Sequence, residues 1–435
     1  MRNNNITLVN LRIFGSKIIK YSGLYTPLGS LYIAGYLEER GYCISFLDYN
    51  PKEFNQEQII ADIKEILNNS AHLIMFSVIF TDLPILLPIV NSYKKNNNSK
   101  KIILGGPGVT AIGSKIIQRF PCIDAVIEGE GEVNVLNTIN SCLGNTANNN
   151  FIYKTKEQER LDFNRLPIPA YHLLSNDKYK IACISSTRGC CFSCSFCSIP
   201  TIWGRQIKCR DIVSFVDEIE LLHSDYGIDH FSITDDVFII SKDRVYEFCN
   251  ELTKRKLDIK WDCFGKIELF DPYLIAIMNM CGLDYIYYGV ESGSDKVLRK
   301  IGKTFNIQSA IKVVEATTKI CSCTASFIWG FPFENKKEFK LTVDLMNYFS
   351  SLENIKIQNS SVCILPGTAM YKNYHSHMSF DESYIPNVTG YTKEDVFAYK
   401  DFITQNCSIT TGFQYVNNSG LEYKVDCMRA EGYLN

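Results

Sequence analysis

The chain has 435 residues, too many for one compact core, so two domains and an appendage are expected. An apolar fraction of 46%, a charged fraction of 21% and a net charge of −2 are ordinary for a soluble globular protein, and they exclude a nucleic-acid footprint or a polybasic membrane anchor. The first residues, MRNNNITLVNLRIFGSK, lack the apolar run and cleavage site of a signal peptide, so the 17 cysteines read as thiols of a reducing cytosol.

Strand and helix patterns alternate through about residue 135. Strands are expected at Asn5–Leu11, Cys43–Asn50, Leu73–Phe80, Lys100–Thr110 and Ile123–Glu132. Helices are expected at Ser30–Gly41, Glu57–Asn69, near Ile89–Lys95, and from Val133 onward. The run Leu73–Val90 is long enough to span a bilayer, but Asp82, Pro84 and Pro88 interrupt it. A buried parallel strand followed by a loop and a helix start explains it without a membrane span. This alternation implies βαβ units in a doubly wound parallel, Rossmann-like sheet, whose ligands bind beyond the strands' carboxyl ends. The candidate contacts are therefore the turns at Pro27–Gly29, Ser77–Thr81, Gly105–Gly108 and Glu128–Gly131. GPGVTA (106–111) fits GxGxxA, but it follows the fourth strand and, as a lone match, is weak.

Gly144–Phe151 is a polar connection, and Leu161–Ser175, with two prolines, reads as a linker laid over a surface. Six further strands are expected at Lys180–Gly189, His230–Asp236, Lys260–Ile267, Tyr285–Ser292, Cys323–Pro332 and Asn354–Ile364. The helices between them are Arg210–Gly227, Lys242–Lys256, Pro272–Gly282, Ile307–Ile320 and Lys336–Leu352. The fold class is thus α/β: a doubly wound sheet, a partial (β/α)6 barrel with chemistry at its strand C-termini, and a short C-terminal region. The expected boundaries are 1–145, a linker at 146–178, the barrel at 179–370 and an extension at 371–435 that shapes the substrate pocket.

The densest chemistry is STRGCCFSCSFCSIP (186–200), which holds four cysteines in eight residues. A closed zinc site needs four ligands, usually as two separated pairs, and neither a second separate CxxC nor a suitable histidine pair exists. A dithiol redox pair would use only Cys194 and Cys197 and leave Cys190 without a role. Four bare thiols on an exposed loop would oxidise. Three thiolates, Cys190, Cys194 and Cys197, suit a cubane iron–sulfur cluster with one iron left open for substrate or cofactor.

RGCCFSCSFC resembles the CxxxCxxC signature of the radical S-adenosylmethionine superfamily, including Phe196, the aromatic residue before the third cysteine. The resemblance implies a [4Fe–4S] cluster on Cys190, Cys194 and Cys197, with Cys191 standing where this branch usually has proline. ITDDVF (233–238) resembles the second-strand motif, so Asp235 and Asp236 are expected at the cofactor's amine. YYGVESGSDKVLRKIGK (287–303) resembles the fourth-strand segment, placing Glu291, with Ser292, at the ribose. FIWGFPFEN (327–335) resembles the adenine-packing turn, through Gly330 and Pro332. Arg210 is expected either at the cofactor's carboxylate or on a solvated helix face.

The segments TPLGSLYIAGYLEERGYCISFLDYN, ILGGPGVTAIG and DAVIEGEGE resemble the cobalamin-binding domain that precedes the barrel in one subclass. Its implied contacts are Pro27, Leu28, Gly29, Ser77, Gly105, Gly106, Pro107, Glu128, Gly129 and Glu130. The DxHxxG motif that supplies an axial histidine is absent, since His72 lies before a strand. The resemblance therefore implies an oxygen-sensitive cytoplasmic enzyme that makes a 5′-deoxyadenosyl radical and, with cobalamin, methylates an unactivated carbon. The alternatives are cyclisation, oxidation or rearrangement without methylation, and a non-catalytic metal-binding scaffold. The implied partners are a small-molecule or peptide substrate and an external one-electron donor such as flavodoxin or ferredoxin.

Overall fold

The computed structural model describes residues 4–13, 25–97, 99–144, 150–175, 179–382, 384–416 and 420–434. The N-terminal sheet holds β1 (Asn5–Leu11), β2 (Cys43–Tyr49), β3 (Leu73–Ser77), β4 (Lys101–Gly105), β5 (Ala125–Glu128) and β6 (Phe151–Lys154), all parallel, in the order β2-β1-β3-β4-β5-β6. The chain switches direction between β1 and β3, and a crevice opens at such a point. Strands β1 and β3 are buried on both faces, which is why they read as unbroken apolar runs. The connecting helices are α1 (Leu28–Glu38), α2 (Gln56–Asn69), α3 (Leu83–Asn96), α4 (Gly113–Arg119) and α5 (Gly131–Gly144).

Two local readings need correction. Helix α3 begins at Leu83, not near Ile89, because Pro84 sits in its first turn, where no N–H donor is needed. Pro88 follows one turn later and removes a single intrahelical bond. Strand β6 emerges just beyond the Asn-rich tract and pairs with β5 from Ala125↔Phe151 to Glu128↔Lys154, although the tract was expected to be only a connection. Most of that tract, 145–149, lies outside the described residues.

The second sheet is also parallel and holds β7 (Ile181–Ile184), β8 (His230–Ile233), β9 (Lys260–Gly265), β10 (Leu283–Glu291), β11 (Ser322–Trp329) and β12 (Ile355–Ser361) in strictly sequential order. It curls around as a partial barrel, with α6 (Ile212–Tyr226), α7 (Lys242–Lys254), α8 (Pro272–Met280), α9 (Asp295–Ile301), α10 (Ile307–Thr317) and α11 (Lys336–Ser350) outside. Side Ile286, Tyr288 and Val290 of β10 is buried under helices, while Tyr285, Tyr287 and Gly289 alternate with it and are half-buried.

The C-terminal region is packed onto both halves. Tyr391, Val396, Ile403, Ile409 and Phe413 join the core beneath α2 and α3. Met428, on the helix α12 (Leu421–Ala430), joins the barrel core beside Phe339 and Met346. No helix of the described residues is long and apolar enough to cross a membrane.

Candidate active site

Strand β7 leads straight into the cysteine loop, and one carboxylate organises its start. Asp235, wholly buried at the exit of β8, accepts from the N–H of Ser186 (2.7 Å) and Thr187 (2.8 Å) and from the hydroxyls of Ser185 (3.0 Å) and Ser186 (2.5 Å). Residues Thr187–Arg188 then pair antiparallel with Lys208–Cys209. Gly189 follows at φ +103°, and a Cβ there would stand 2.4 Å from the Gln206 carbonyl, so the turn admits only glycine.

Cys190 is buried, Cys194 and Cys197 are half-buried and Cys191 is exposed. Burial raises the pKa of Cys190 and pushes Cys197 up to about 11, and each thiol also feels the charge of its neighbours. Backbone N–H groups of Phe192 and Ile199 are directed at the sulfurs of Cys190 and Cys197. The loop is pinned by the Ser195 N–H to the Ile301 carbonyl (2.9 Å) and by the Met370 N–H to the Ser195 carbonyl (2.9 Å). Gly302, which ends α9, lets the chain pass so close that a Cβ would sit 2.7 Å from the Ser193 carbonyl. Among the described residues no three His, Cys, Asp or Glu side chains stand ready-closed around an ion. The fit to an iron–sulfur cluster rests on donor chemistry: three thiols on one anchored loop, with amide donors directed at two of the sulfurs.

The strand ends around this loop carry the other expected residues. Asp236 is half-buried, accepts from the Gly189 N–H (3.3 Å), and burial pushes its pKa up to about 6. Glu291 sits at the end of β10 in the left-handed region (φ +69°), strained for a residue with a side chain. Its carboxylate is 3.0 Å from the ammonium of Lys303, which also donates to the Gly289 carbonyl (3.0 Å). Lys303 is buried, and the Cys194 thiol is near enough to influence its charge. Gly330 (φ +83°) leads into half-buried Pro332, and a Cβ at Gly330 would meet nothing within 4 Å among the described residues. Phe196 packs against Phe331, with ring centroids 6.1 Å apart.

Three expected contacts are engaged elsewhere. Arg210 is not turned to the strand ends: its guanidinium pairs with the wholly buried Glu218 and donates to the Ser214 carbonyl (2.9 Å). Asp235 has its oxygens taken up by the loop it organises, leaving Asp236 as the acidic side chain open to a ligand. Ser292 is wholly buried, 3.1 Å from the Thr342 hydroxyl, and supports the turn into α9.

At the carboxyl ends of β1, β3, β4 and β5 lies a cleft of about 750 Å³, open solvent included. Of the expected cobalamin contacts, Gly29, Ser77, Gly105, Gly106, Pro107 and Gly129 line it. Among the described residues, a Cβ on Gly29 or Gly105 would meet nothing within 4 Å, so these glycines leave a cradle that side chains would fill. Pro27 and Leu28 lie at the start of α1, behind the lining. Glu128 is buried and accepts from the Gly113 N–H (2.6 Å). Glu130 is buried between Arg188 (2.7 Å) and Arg160 (3.4 Å). Both glutamates serve the scaffold, not the cleft.

Sequence reasoning missed the feature that unites the site. Directly after Cys197 comes a helical turn, Ile199–Trp203, whose Ile202 and Trp203 form a wall of the cleft. Ile202 and Pro107 also border a second cleft of about 790 Å³, reaching Thr110, Thr201, Leu365 and Thr411 and lined by no charged side chain among the described residues. Arg188 stacks 4.7 Å from the rings of Tyr32, Phe163 and Trp203 and binds Glu130 and Glu132, welding the loop to the N-terminal sheet. The only sequence signal was Arg188's place beside the cysteines.

Comparison with known proteins agrees with this architecture. Residues 184–346 match the radical SAM superfamily and residues 17–137 match the B12 binding domain. The chain therefore carries a B12-binding domain ahead of a radical SAM domain, and is a cobalamin-dependent radical SAM enzyme. Its cofactors are accordingly a [4Fe–4S] cluster, S-adenosylmethionine and cobalamin.

An uncharacterized methyltransferase of Pyrococcus horikoshii is 27% identical over 363 residues, covering 80% of this chain and 78% of that one. An anaerobic magnesium-protoporphyrin IX monomethyl ester cyclase of Rubrivivax gelatinosus is 26% identical over 347 residues, covering 74% of this chain but only 62% of its own length. Among solved structures, the radical S-adenosylmethionine methyltransferase TsrM of Kitasatospora setae superposes with a TM-score of 0.71 at 14% identity, covering 99% of this chain and 89% of that one. The cobalamin-dependent radical enzyme OxsB superposes with a TM-score of 0.67 at 16% identity, covering 98% of this chain and 66% of that one. At these identities the two structures bear on the fold alone.

Proposed function

We propose that this enzyme transfers a methyl group to an unactivated carbon of a small-molecule or peptide substrate. The observation that carries the reading is the shared wall: the turn Ile199–Trp203 follows the last cysteine and also closes the glycine-lined cleft. A cobalamin in that cleft and a cluster on the loop would therefore be held by adjoining residues of one segment. When bound, the cluster supplies the electron that cleaves S-adenosylmethionine, and cobalamin carries the methyl group.

The chain's own part is binding and orientation. Cys190, Cys194 and Cys197 hold the iron. Asp236 accepts the cationic amine of S-adenosylmethionine, Glu291 accepts from the ribose hydroxyls, and the open side of the Gly330–Pro332 turn receives the adenine. Lys303 takes the place expected of Arg210 as the buried cation beside the cysteine loop, and it suits the cofactor's carboxylate. Gly29, Gly105 and Gly106 admit the cobalamin tail beside backbone amides. The cyclase relative supports a second reading, ring closure without methylation.

Anaerobic turnover with a one-electron reductant, cobalamin, methyl-labelled S-adenosylmethionine and a panel of acceptors separates the two. S-adenosylhomocysteine beside 5′-deoxyadenosine, with label in the product, is expected. A modified product accompanied by 5′-deoxyadenosine alone would sink the methyl-transfer reading.

A further inference from the structure

The C-terminal helix α12 carries a lysine with no access to solvent. Lys424 lies wholly buried, its ammonium 3.0 Å from Oε2 of Glu334 and 2.8 Å from the Glu334 carbonyl. Glu334 closes the turn that begins at Gly330: the same Oε2 accepts from the Gly330 N–H at 2.9 Å. Its other oxygen, Oε1, is buried and has no hydrogen-bond partner among the described residues. A buried ion pair of this kind is a weak source of stability, because desolvation offsets the attraction between the charges. It does impose a geometry. Here the lysine bonds both ends of one residue, side chain and carbonyl, and that residue bonds back to Gly330.

Helix α12 is itself firmly seated. Met428 packs in the barrel core with Phe339 and Phe349, Tyr423 meets Phe339 with centroids 6.5 Å apart, and Asn347 donates to Glu431 at 2.9 Å. The turn is thus held from behind by the C-terminal helix, while a Cβ at Gly330 would meet none of the described residues within 4 Å.

We propose that Lys424 is a positioning residue: through Glu334 it holds the Gly330–Glu334 turn in the shape that receives S-adenosylmethionine, so the cofactor site is complete only with α12 docked. This rests on the reading that the turn borders S-adenosylmethionine. It assigns to the C-terminal region a part in cofactor binding as well as in shaping a substrate pocket.

The test uses the full chain with its cluster reconstituted. The double variant Lys424→Met/Glu334→Gln removes both charges at similar volume and keeps an acceptor for the Gly330 N–H, but it loses the two bonds from Lys424. Neutral replacement of a buried pair is commonly tolerated, so iron content and thermal midpoint should stay near wild type. Binding of S-adenosylmethionine, measured by equilibrium dialysis, should weaken by about tenfold or more. Affinity within about twofold of wild type would overturn the proposal, since the pair would then only neutralise itself.

Hydrogen exchange on the wild-type protein gives an answer even if the double variant misfolds. Adding S-adenosylmethionine should slow exchange in 330–334 and in 421–430 together. Protection of the turn with α12 unchanged would overturn the coupling. Wild-type protein that holds its cluster but binds no S-adenosylmethionine would overturn the cofactor reading itself, and the clamp with it.

Discussion

Arg188 and Glu130 meet at 2.7 Å across the junction of the two sheets, with both side chains nearly closed to solvent. Arg188 lies two residues before Cys190, and Glu130 lies two residues beyond the end of β5. The pair therefore couples the placement of the cluster loop to the B12-binding sheet. Glu130→Gln leaves Arg188 with Glu132 alone and Arg160 without its carboxylate. A loss of about 3 kcal/mol is expected from breaking a buried pair, read as a lower urea midpoint, together with poorer iron retention after reconstitution. Stability lost with iron retained in full would show that the junction does not position the loop.

Cys191 should be dispensable. It is exposed beside buried Cys190, and this position needs only a residue that permits the turn. Cys191→Ala or Cys191→Pro is expected to keep wild-type iron content and visible absorption after anaerobic reconstitution. Alanine at 190, 194 or 197 should abolish both. A Cys191 variant that loses iron would make it a ligand.

The adjacent aspartates should separate cleanly. Asp235→Ala strips acceptors from two buried N–H groups and two hydroxyls, so a destabilisation of about 3 kcal/mol is expected by thermal or urea unfolding. Asp236→Asn keeps an acceptor for the Gly189 N–H and should unfold like wild type, but bind S-adenosylmethionine about tenfold more weakly. Equal effects of both variants on stability would contradict the division of roles.

Much of this architecture was legible because periodicity reports burial. The double-sided burial of β1 and β3 makes them plain apolar runs, and the helices show their inward faces as Ile59, Ile63 and Leu67 do on α2. The cysteine loop was legible because spacing along one loop is a local property. What escaped was non-local. Asp235 and Glu130, expected as contacts because they sit at strand ends, are consumed by buried partners 49 and 58 residues away. Arg210, at the head of a helix, is consumed by Glu218 close by in sequence, but the burial that fixes that pair comes only with tertiary packing. Lys424 had no signal at all, since a lysine in a polar tail reads as solvated until its helix is docked.

The glycine cradle can be tested by filling it. Gly105 ends β4 facing the cleft, and a Cβ there touches none of the described residues within 4 Å. Gly105→Leu should therefore leave stability within about 0.5 kcal/mol of wild type while occupying the space proposed for cobalamin. Retention of the coloured corrin through gel filtration is expected to fall at least about tenfold, since steric overlap in a packed site admits no compromise. Full retention would place cobalamin elsewhere.

Acid should act at the other end of the interface. Asp48, at the end of β2, is bonded by Arg12, by the Tyr179 hydroxyl from the start of the barrel, and by Asn10 (2.7 Å). Burial pushes its pKa upward, but Arg12 and the hydrogen bonds outweigh burial and leave it below the usual carboxylate value. A lowered pKa means the folded state favours the ionised form. The stabilisation is thus present above the unfolded value, about pH 4, and is lost as pH falls from there through the folded value. Asp48→Asn should cost about 2 kcal/mol at pH 7, and its urea stability should converge on that of wild type below about pH 4. A difference that stays constant down to acid would mean that the Asp48 charge contributes nothing, and that its loss matters only through packing.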